Sequence, residues 1–206
     1  MNYKEVYKQW LNNDFFDEET KADLLSIQDD EAEIEDRFYK GLEFGTAGLR
    51  GKLGAGTNRM NKYMVGKAAQ ALAETLKDHG EEAIKRGVAI SYDVRYKSKE
   101  FAELTCSIMA AHGIKTYIYN GIHPTPMCSY AIRKLHCKAG VMVTASHNPQ
   151  EYNGYKAYWE EGSQILDDIA GQIAGHMDEI VNFEDIKSIP FEEALESGLA
   201  NYIDAS

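Results

Sequence analysis

Ser146, His147, Asn148 and Lys156 bring a hydroxyl, an imidazole, an amide and an ammonium into a span of eleven residues, within the run KAGVMVTASHNPQEYNGYKAYW from Lys138 to Trp159. Singly, each has an ordinary reading: a loop serine as a turn residue, a histidine as a solvated side chain, a lysine as a surface charge. Their convergence on one loop is what argues for chemistry. A serine-hydrolase triad does not fit, because no G-x-S-x-G elbow surrounds Ser146 and an immediate neighbour such as His147 is poorly placed to be its base. Charge distribution suggests the kind of ligand. Residues 1–43 hold 5 Lys+Arg and 13 Asp+Glu, residues 44–159 hold 16 and 8, and residues 160–206 hold 1 and 12. An overall charge of -11 therefore conceals a basic central segment around this loop, which favours a small anionic ligand. Nucleic acid is not expected, since the basic residues are not interleaved with aromatics.

The elements that must position these groups follow from hydrophobic pattern and punctuation. Ala139–Thr144 is a short apolar run suited to a strand covered on both faces, and Ala145–Pro149 breaks it, making a loop at the strand's C-terminal end where open α/β sheets bind ligands. Tyr152-Asn153-Gly154 reads as a turn, and Tyr155–Trp159 as a returning strand that carries Lys156 back to the loop. Upstream, Gly87–Tyr92 is a strand ending in Asp93-Val94-Arg95, where a structural ion pair is expected. Ser98 is expected to cap a helix over Lys99–Ala111, Ile114–Tyr119 forms the next strand, and His123-Pro124-Thr125-Pro126 leads into a helix ending near Leu135. Asn61 caps a helix through Leu76 that Gly80 terminates, and a further helix spans Leu166–Ile180.

Before these, Gly51–Thr57 is a glycine-rich loop without the lysine of a Walker A sequence; its N–H groups could approach an anion, with Arg50 adding a fork of donors. Residues 1–42 read as a helical arm: Glu5–Leu11, Glu18–Ile27 capped by Asp17, and Asp30–Tyr39 ending at Gly41, with the carboxylates forming a solvated face. The expected fold is α/β: a three-layer α/β/α domain with a mixed, mostly parallel sheet, preceded by that arm. Strand order is left open.

With 44% hydrophobic and 27% charged residues, the composition is that of an ordinary globular chain. No transmembrane run or signal pattern is visible, so a cytoplasmic location without membrane association is the default expectation. Cys106, Cys128 and Cys137 are odd in number and lack C-x-x-C spacing, which argues for reduced thiols over disulfides or zinc; a reactive Cys128 is the minority reading.

Two stretches resemble a known family. Thr144-Ala145-Ser146-His147-Asn148-Pro149 with Tyr152-Asn153-Gly154-Tyr155-Lys156 is similar to the active-site serine loop of the α-D-phosphohexomutases, the phosphoglucomutase and phosphomannomutase superfamily. Glu43–Gly51, EFGTAGLRG, resembles that family's N-terminal signature, and the acidic arm looks most like that of the long bacterial phosphoglucomutases. The resemblance implies that Ser146 carries a phosphoryl group, passes it to a hexose phosphate and recovers another from the hexose 1,6-bisphosphate. It implies catalytic roles for Ser146, His147 and Lys156, with His147 and Asn148 also shaping the loop, and phosphate binding by Arg50, Thr46 and Asn148. Mg²⁺ would meet the protein through the phosphate on Ser146, with glucose 1,6-bisphosphate as activator. The D-G-D-G-D metal loop, the G-E-x-S-G sugar loop and a C-terminal phosphate loop are not found in these residues. Residues 43–206 therefore look like domain I of a four-domain enzyme, with the remaining mutase domains as partners and little activity expected from the piece alone. A non-catalytic phosphate-binding or partner-packing domain is the alternative.

Overall fold

The computed structural model describes residues 2–204. Six strands form one sheet: β1 (Leu49–Lys52), β2 (Val88–Tyr92), β3 (Thr116–Tyr119), β4 (Ala139–Val143), β5 (Tyr152–Trp159) and β6 (Ala200–Ile203). Their order is β1-β5-β4-β2-β3-β6. The pairs β4–β2, β2–β3 and β3–β6 are parallel, whereas β5 runs antiparallel to both β4 and β1. The sheet is mixed, as expected.

The nine α-helices of the described residues fall into an N-terminal trio, α1 (Tyr3–Asn12), α2 (Glu18–Ser26) and α3 (Glu31–Phe38), and six later ones. These are α4 (Lys62–Asp78), α5 (Glu81–Arg86), α6 (Ser98–Ala111), α7 (Thr125–Lys134), α8 (Asp167–Glu179) and α9 (Phe191–Glu196). β2 and β4 are buried throughout, and their alternate side chains feed two cores. Val88, Ile90, Val141 and Val143 join α4, α6 and α8 in the larger core, while Ala89 and Met142 join Cys128, Ala131 and Ile132 of α7 on the other face. The three-layer architecture follows. None of these helices is long and apolar enough to cross a membrane.

The chain runs from β2 through α6 to β3 on one side, and from β3 through α7 to β4 on the other side of β2. The C-terminal ends of β2 and β4 thus lie side by side where the winding direction changes, the usual ligand crevice of an open α/β sheet.

Several expectations need correction. Tyr152-Asn153-Gly154 is not a turn: it already belongs to β5 and pairs with Lys52, Gly51 and Arg50 of β1. Ser98 does not cap α6. Lys97, in left-handed backbone, holds the cap position, and the Ser98 hydroxyl instead donates to Asp93 Oδ1 at 2.9 Å. Helix α3 stops at Phe38, ahead of Gly41. The short β1, β6 and α5 were not anticipated, because four-residue edge strands and a six-residue helix carry too little pattern to stand out.

The arm's carboxylates are not simply a solvated face. Arg59, only 3% exposed, donates to Glu33 at 3.1 Å and Asp36 at 2.5 Å, and Arg37 donates to Asp23 and Glu33, each at 2.8 Å. The glycine-rich loop serves this seat. Ala55 N–H donates to Asp23 Oδ2 at 2.7 Å, and a Cβ on Gly56 would stand 2.7 Å from the Arg37 carbonyl oxygen. That amide is spent on the arm instead of an external anion. Trp10 stacks on Phe16 at 4.3 Å and meets Tyr63 of α4 edge-on at 5.5 Å, so α1–α3 share an aromatic core with the sheet-covering helix.

Candidate active site

Beyond Val143 the backbone is pinned before it is released. Thr144 N–H donates to Gly154 O at 3.0 Å, continuing the β4–β5 ladder, and Thr144 Oγ1 accepts the Ser146 N–H at 2.9 Å. Ser146 then adopts φ 58°, a left-handed conformation uncommon for a non-glycine residue. Asn148 N–H returns to Ala145 O at 3.1 Å and Tyr152 N–H to Pro149 O at 3.0 Å, closing the loop. Ser146 and His147 are exposed at its tip, and Asn148 is half-buried.

Arg50 reaches this loop because β1 pairs with β5. Arg50 lies opposite Gly154, and its Nη1 donates to Asn148 Oδ1 at 3.2 Å. Thr46 sits exposed in the preceding turn, closed by Gly48 N–H to Gly45 O at 2.7 Å. Lys156 stands opposite Met142, whose side chain packs on the α7 face of the sheet, and is half-buried. Burial pushes its ammonium below the usual lysine range, the Arg50 guanidinium adds to the effect, and Asp93 works against it. The tertiary structure thus gathers Arg50, Asn148 and Lys156 about the serine loop. Neither Thr46 nor His147 makes a side-chain hydrogen bond among the described residues.

One residue at the site was underestimated. Arg95, expected as half of a structural ion pair, does approach Asp93, at 3.6 Å, but its terminal nitrogens also enter the serine loop. Nη1 donates to Pro149 O at 2.8 Å and Tyr152 O at 2.9 Å, while Nη2 donates to Asn148 O at 2.6 Å and Ser146 O at 3.0 Å. The available signal was an arginine three residues beyond a central strand, although the adjacency of β2 to β4 is not written in the sequence. Asn153, fully buried, adds a second tie by donating to Tyr96 O and Ser98 Oγ at 2.8 and 3.0 Å.

An exposed hydroxyl in a held backbone, with a guanidinium and a half-buried amine close by, suits the handling of a phosphate monoester. The described residues contain no group of three or more His, Cys, Asp or Glu able to hold a metal ion. Asp93 is engaged by Arg95 and Ser98. A phosphoryl group on Ser146 could offer oxygens to a divalent cation, but the side chains present do not complete a site. The thiols stand apart from this chemistry: all three are buried and unpaired, and burial pushes Cys106 and Cys137 up to about 12 and Cys128 higher still, which removes the reactive reading of Cys128.

A family model described as "Phosphoglucomutase/phosphomannomutase, alpha/beta/alpha domain I" matches residues 41–183. The chain belongs to the phosphoglucomutase/phosphomannomutase family. Among its relatives, a phosphoglucomutase of Staphylococcus epidermidis is 41% identical over 83% of this chain and 30% of the relative. A Schizosaccharomyces pombe protein named "probable phosphoribomutase" is 40% identical over 79% of this chain and 28% of its own length. The chain thus spans about a third or less of the mutases it matches. The solved structure of parafusin from Paramecium, an exocytosis-sensitive phosphoprotein also described as a phosphoglucomutase, superposes with a TM-score of 0.63. That match covers 81% of this chain and 33% of parafusin at 22% identity, and it supports the mutase domain I fold.

Proposed function

We propose that this chain is the phosphoserine-bearing N-terminal domain of a phosphoglucomutase, with residues 1–42 as an arm on a domain of residues 43–206. The observation that carries the reading is an exposed serine in left-handed backbone at the β2/β4 crevice, with Arg50 bonded to Asn148 and half-buried Lys156 on the adjoining strand. A phosphoserine carries a charge of about -1.5 to -2, so cations beside it lower the energy of both the modified enzyme and the transfer. In the forward half-reaction an oxygen of the sugar phosphate bonds to phosphorus as the phosphorus–Oγ bond to Ser146 breaks. The sugar hydroxyl loses a proton and Ser146 Oγ gains one. We assign Lys156 to this exchange, because its depressed proton affinity brings it nearer to the range where an amine can serve as acid and base. The second half-reaction reverses these bonds at the other phosphate of the bisphosphate. Arg50, Thr46 and Asn148 are assigned to phosphate oxygens, and His147 to the catalytic loop beside the serine.

Mg²⁺ would bind through the phosphoryl oxygens on Ser146 with carboxylates from outside the described residues, and would supply charge neutralisation there. Glucose 1,6-bisphosphate as activator, a hexose phosphate as substrate, the remaining mutase domains as partners and a cytoplasmic setting complete the proposal. Glucose is favoured over ribose by the name of the first relative, since the described residues contain no sugar-reading loop. The test is to join this chain to the remaining length of the Staphylococcus epidermidis relative and assay glucose 1-phosphate to glucose 6-phosphate conversion. Ser146→Ala should abolish turnover and the phosphoryl mass increment. Undiminished activity in that variant would remove Ser146 from the mechanism, and tight binding of hexose phosphate without phosphoserine would favour a non-catalytic phosphate-binding domain.

A further inference from the structure

Four backbone carbonyls of the serine loop, those of Ser146, Asn148, Pro149 and Tyr152, converge on the single guanidinium of Arg95 at 2.6 to 3.0 Å. Of these oxygens, only that of Pro149 has a further backbone partner within the loop, the Tyr152 N–H at 3.0 Å; the hydrogen bonds given for the Ser146 and Asn148 oxygens come from Arg95. Loop carbonyls ordinarily face water, and gathering four of them needs a planar, multi-pronged cation that is itself largely shielded. Arg95 meets that need: its side chain is 13% exposed, and Asp93 orients it, approaching Nε at 3.6 Å and accepting the Arg95 backbone N–H at 3.0 Å. Asp93 is itself held by the Ser98 hydroxyl, which also receives Asn153 from β5. A chain of polar contacts thus joins the end of β2 to both ends of the serine loop.

This arrangement has a consequence for the peptide linking Ser146 to His147. Among the described residues no peptide is cis, and in a trans peptide the N–H points opposite to the C=O. With the Ser146 oxygen drawn onto Arg95, the His147 N–H is turned away from it, and that N–H has no backbone partner among the described residues.

We propose that Arg95 is a positioning residue for phosphoryl transfer: by collecting the loop carbonyls it holds Ser146 in its left-handed backbone and turns the His147 N–H outward to meet a phosphoryl oxygen. The proposal rests on the phosphoserine reading of Ser146. Arg95 itself touches neither substrate nor phosphoryl group in this role. A lysine in its place would keep the charge but, as a compact ammonium, could not span four carbonyls.

The test uses Arg95→Lys and Arg95→Ala, in the 206-residue chain for amide exchange and melting, and in the chain extended with a relative's remaining domains for chemistry. Cooperative melting should persist in the lysine variant, while exchange of the amides between Ala145 and Asn153 accelerates about tenfold or more. Phosphoryl uptake at Ser146 from glucose 1,6-bisphosphate and Mg²⁺, followed by intact mass, should slow on the order of a hundredfold, as misplacement by an ångström does. Added guanidinium should recover part of the rate in Arg95→Ala, which a general loss of structure would not allow. Unchanged loop exchange in both variants overturns the proposal, as does faster exchange with unaltered phosphoryl uptake. Loss of cooperative melting in both overturns it too, by making Arg95 a residue of the fold at large. If the extended chain with Arg95 intact takes up no phosphoryl group, the phosphoserine reading fails, and the clamp is then judged by loop exchange alone.

Discussion

Gly48 lies against Tyr155 so closely that a Cβ on it would stand 2.0 Å from the Tyr155 carbonyl oxygen. With φ at 74° as well, the position admits only glycine without rearrangement. This contact seats β1 on β5, and through β1 it sets where Arg50 meets Asn148. Gly48→Ala should therefore cost more than backbone strain alone, about 2 kcal/mol or more by denaturant melting. Gly113→Ala is the matched control, because φ is 73° there and a Cβ would meet nothing within 4 Å. Its cost should be about 1 kcal/mol. Equal losses at the two sites would show that the Gly48–Tyr155 approach does not constrain the fold.

Asp17 ties the arm to α4. It caps α2 by accepting the Thr20 N–H at 2.7 Å and pairs with Lys62; burial opposes its charge, but Lys62 and Thr20 outweigh that and hold the carboxyl at about 2. An unfolded aspartate titrates near 3.9. The native state therefore binds this proton less readily, so the contribution is complete above roughly pH 4 and is lost as pH falls toward 2. Asp17→Asn keeps a good capping side chain and removes the titration. Chemical melting from pH 6 to 2 should show a shallower acid decline in the variant, and identical slopes would contradict the assignment.

Lys156 should respond to its neighbours in a defined direction. Burial and Arg50 lower its proton affinity, so the unfolded chain binds the proton more tightly, and this group's contribution to stability improves as pH rises through the depressed value toward the ordinary lysine range. Arg50→Met should move the Lys156 titration upward, toward the usual range. NMR of labelled lysine side chains reads this directly, and a fixed or falling value would show that Arg50 is not a significant neighbour. Lys156→Met should leave stability within about 1 kcal/mol, because the ammonium is held at a cost, while slowing mutase turnover in the extended chain.

The 206-residue chain alone should melt cooperatively yet turn over little substrate. Its buried strands, capped helices and two sheet-facing cores are mutually consistent. Phosphoryl transfer also needs in-line positioning and exclusion of water, and the serine loop is open to solvent here. Orientation alone can account for roughly 7 to 11 kcal/mol of barrier lowering. A coupled assay with glucose 1,6-bisphosphate and Mg²⁺ should therefore fall far short of a full-length relative, and a rate within about tenfold of it would show that the site is already complete.

Local chemistry was legible in the sequence wherever it depends on near neighbours. The buried run Ala139–Val143, the small polar break after it, Asn61 and Asp17 as caps, and the ordering of Ser146 before Lys156 all act over a few residues, where composition and backbone preference are strong guides. Tertiary structure alone decided which distant pieces face one another. The pairing of Gly51 with Asn153, which turned an expected turn into strand, depends on β1 arriving from a hundred residues away. The placement of β2 beside β4, which brings Arg95 under the serine loop, depends on a crossover that no local pattern records. The glycine-rich loop illustrates the same limit: its composition permits anion binding or close packing equally, and only the arrival of Arg37 and Asp23 from α3 and α2 resolves it as packing. Short-range preferences act through a residue's own dihedrals and nearest contacts, whereas strand order is set by the burial of whole faces against one another, a property of the assembled chain.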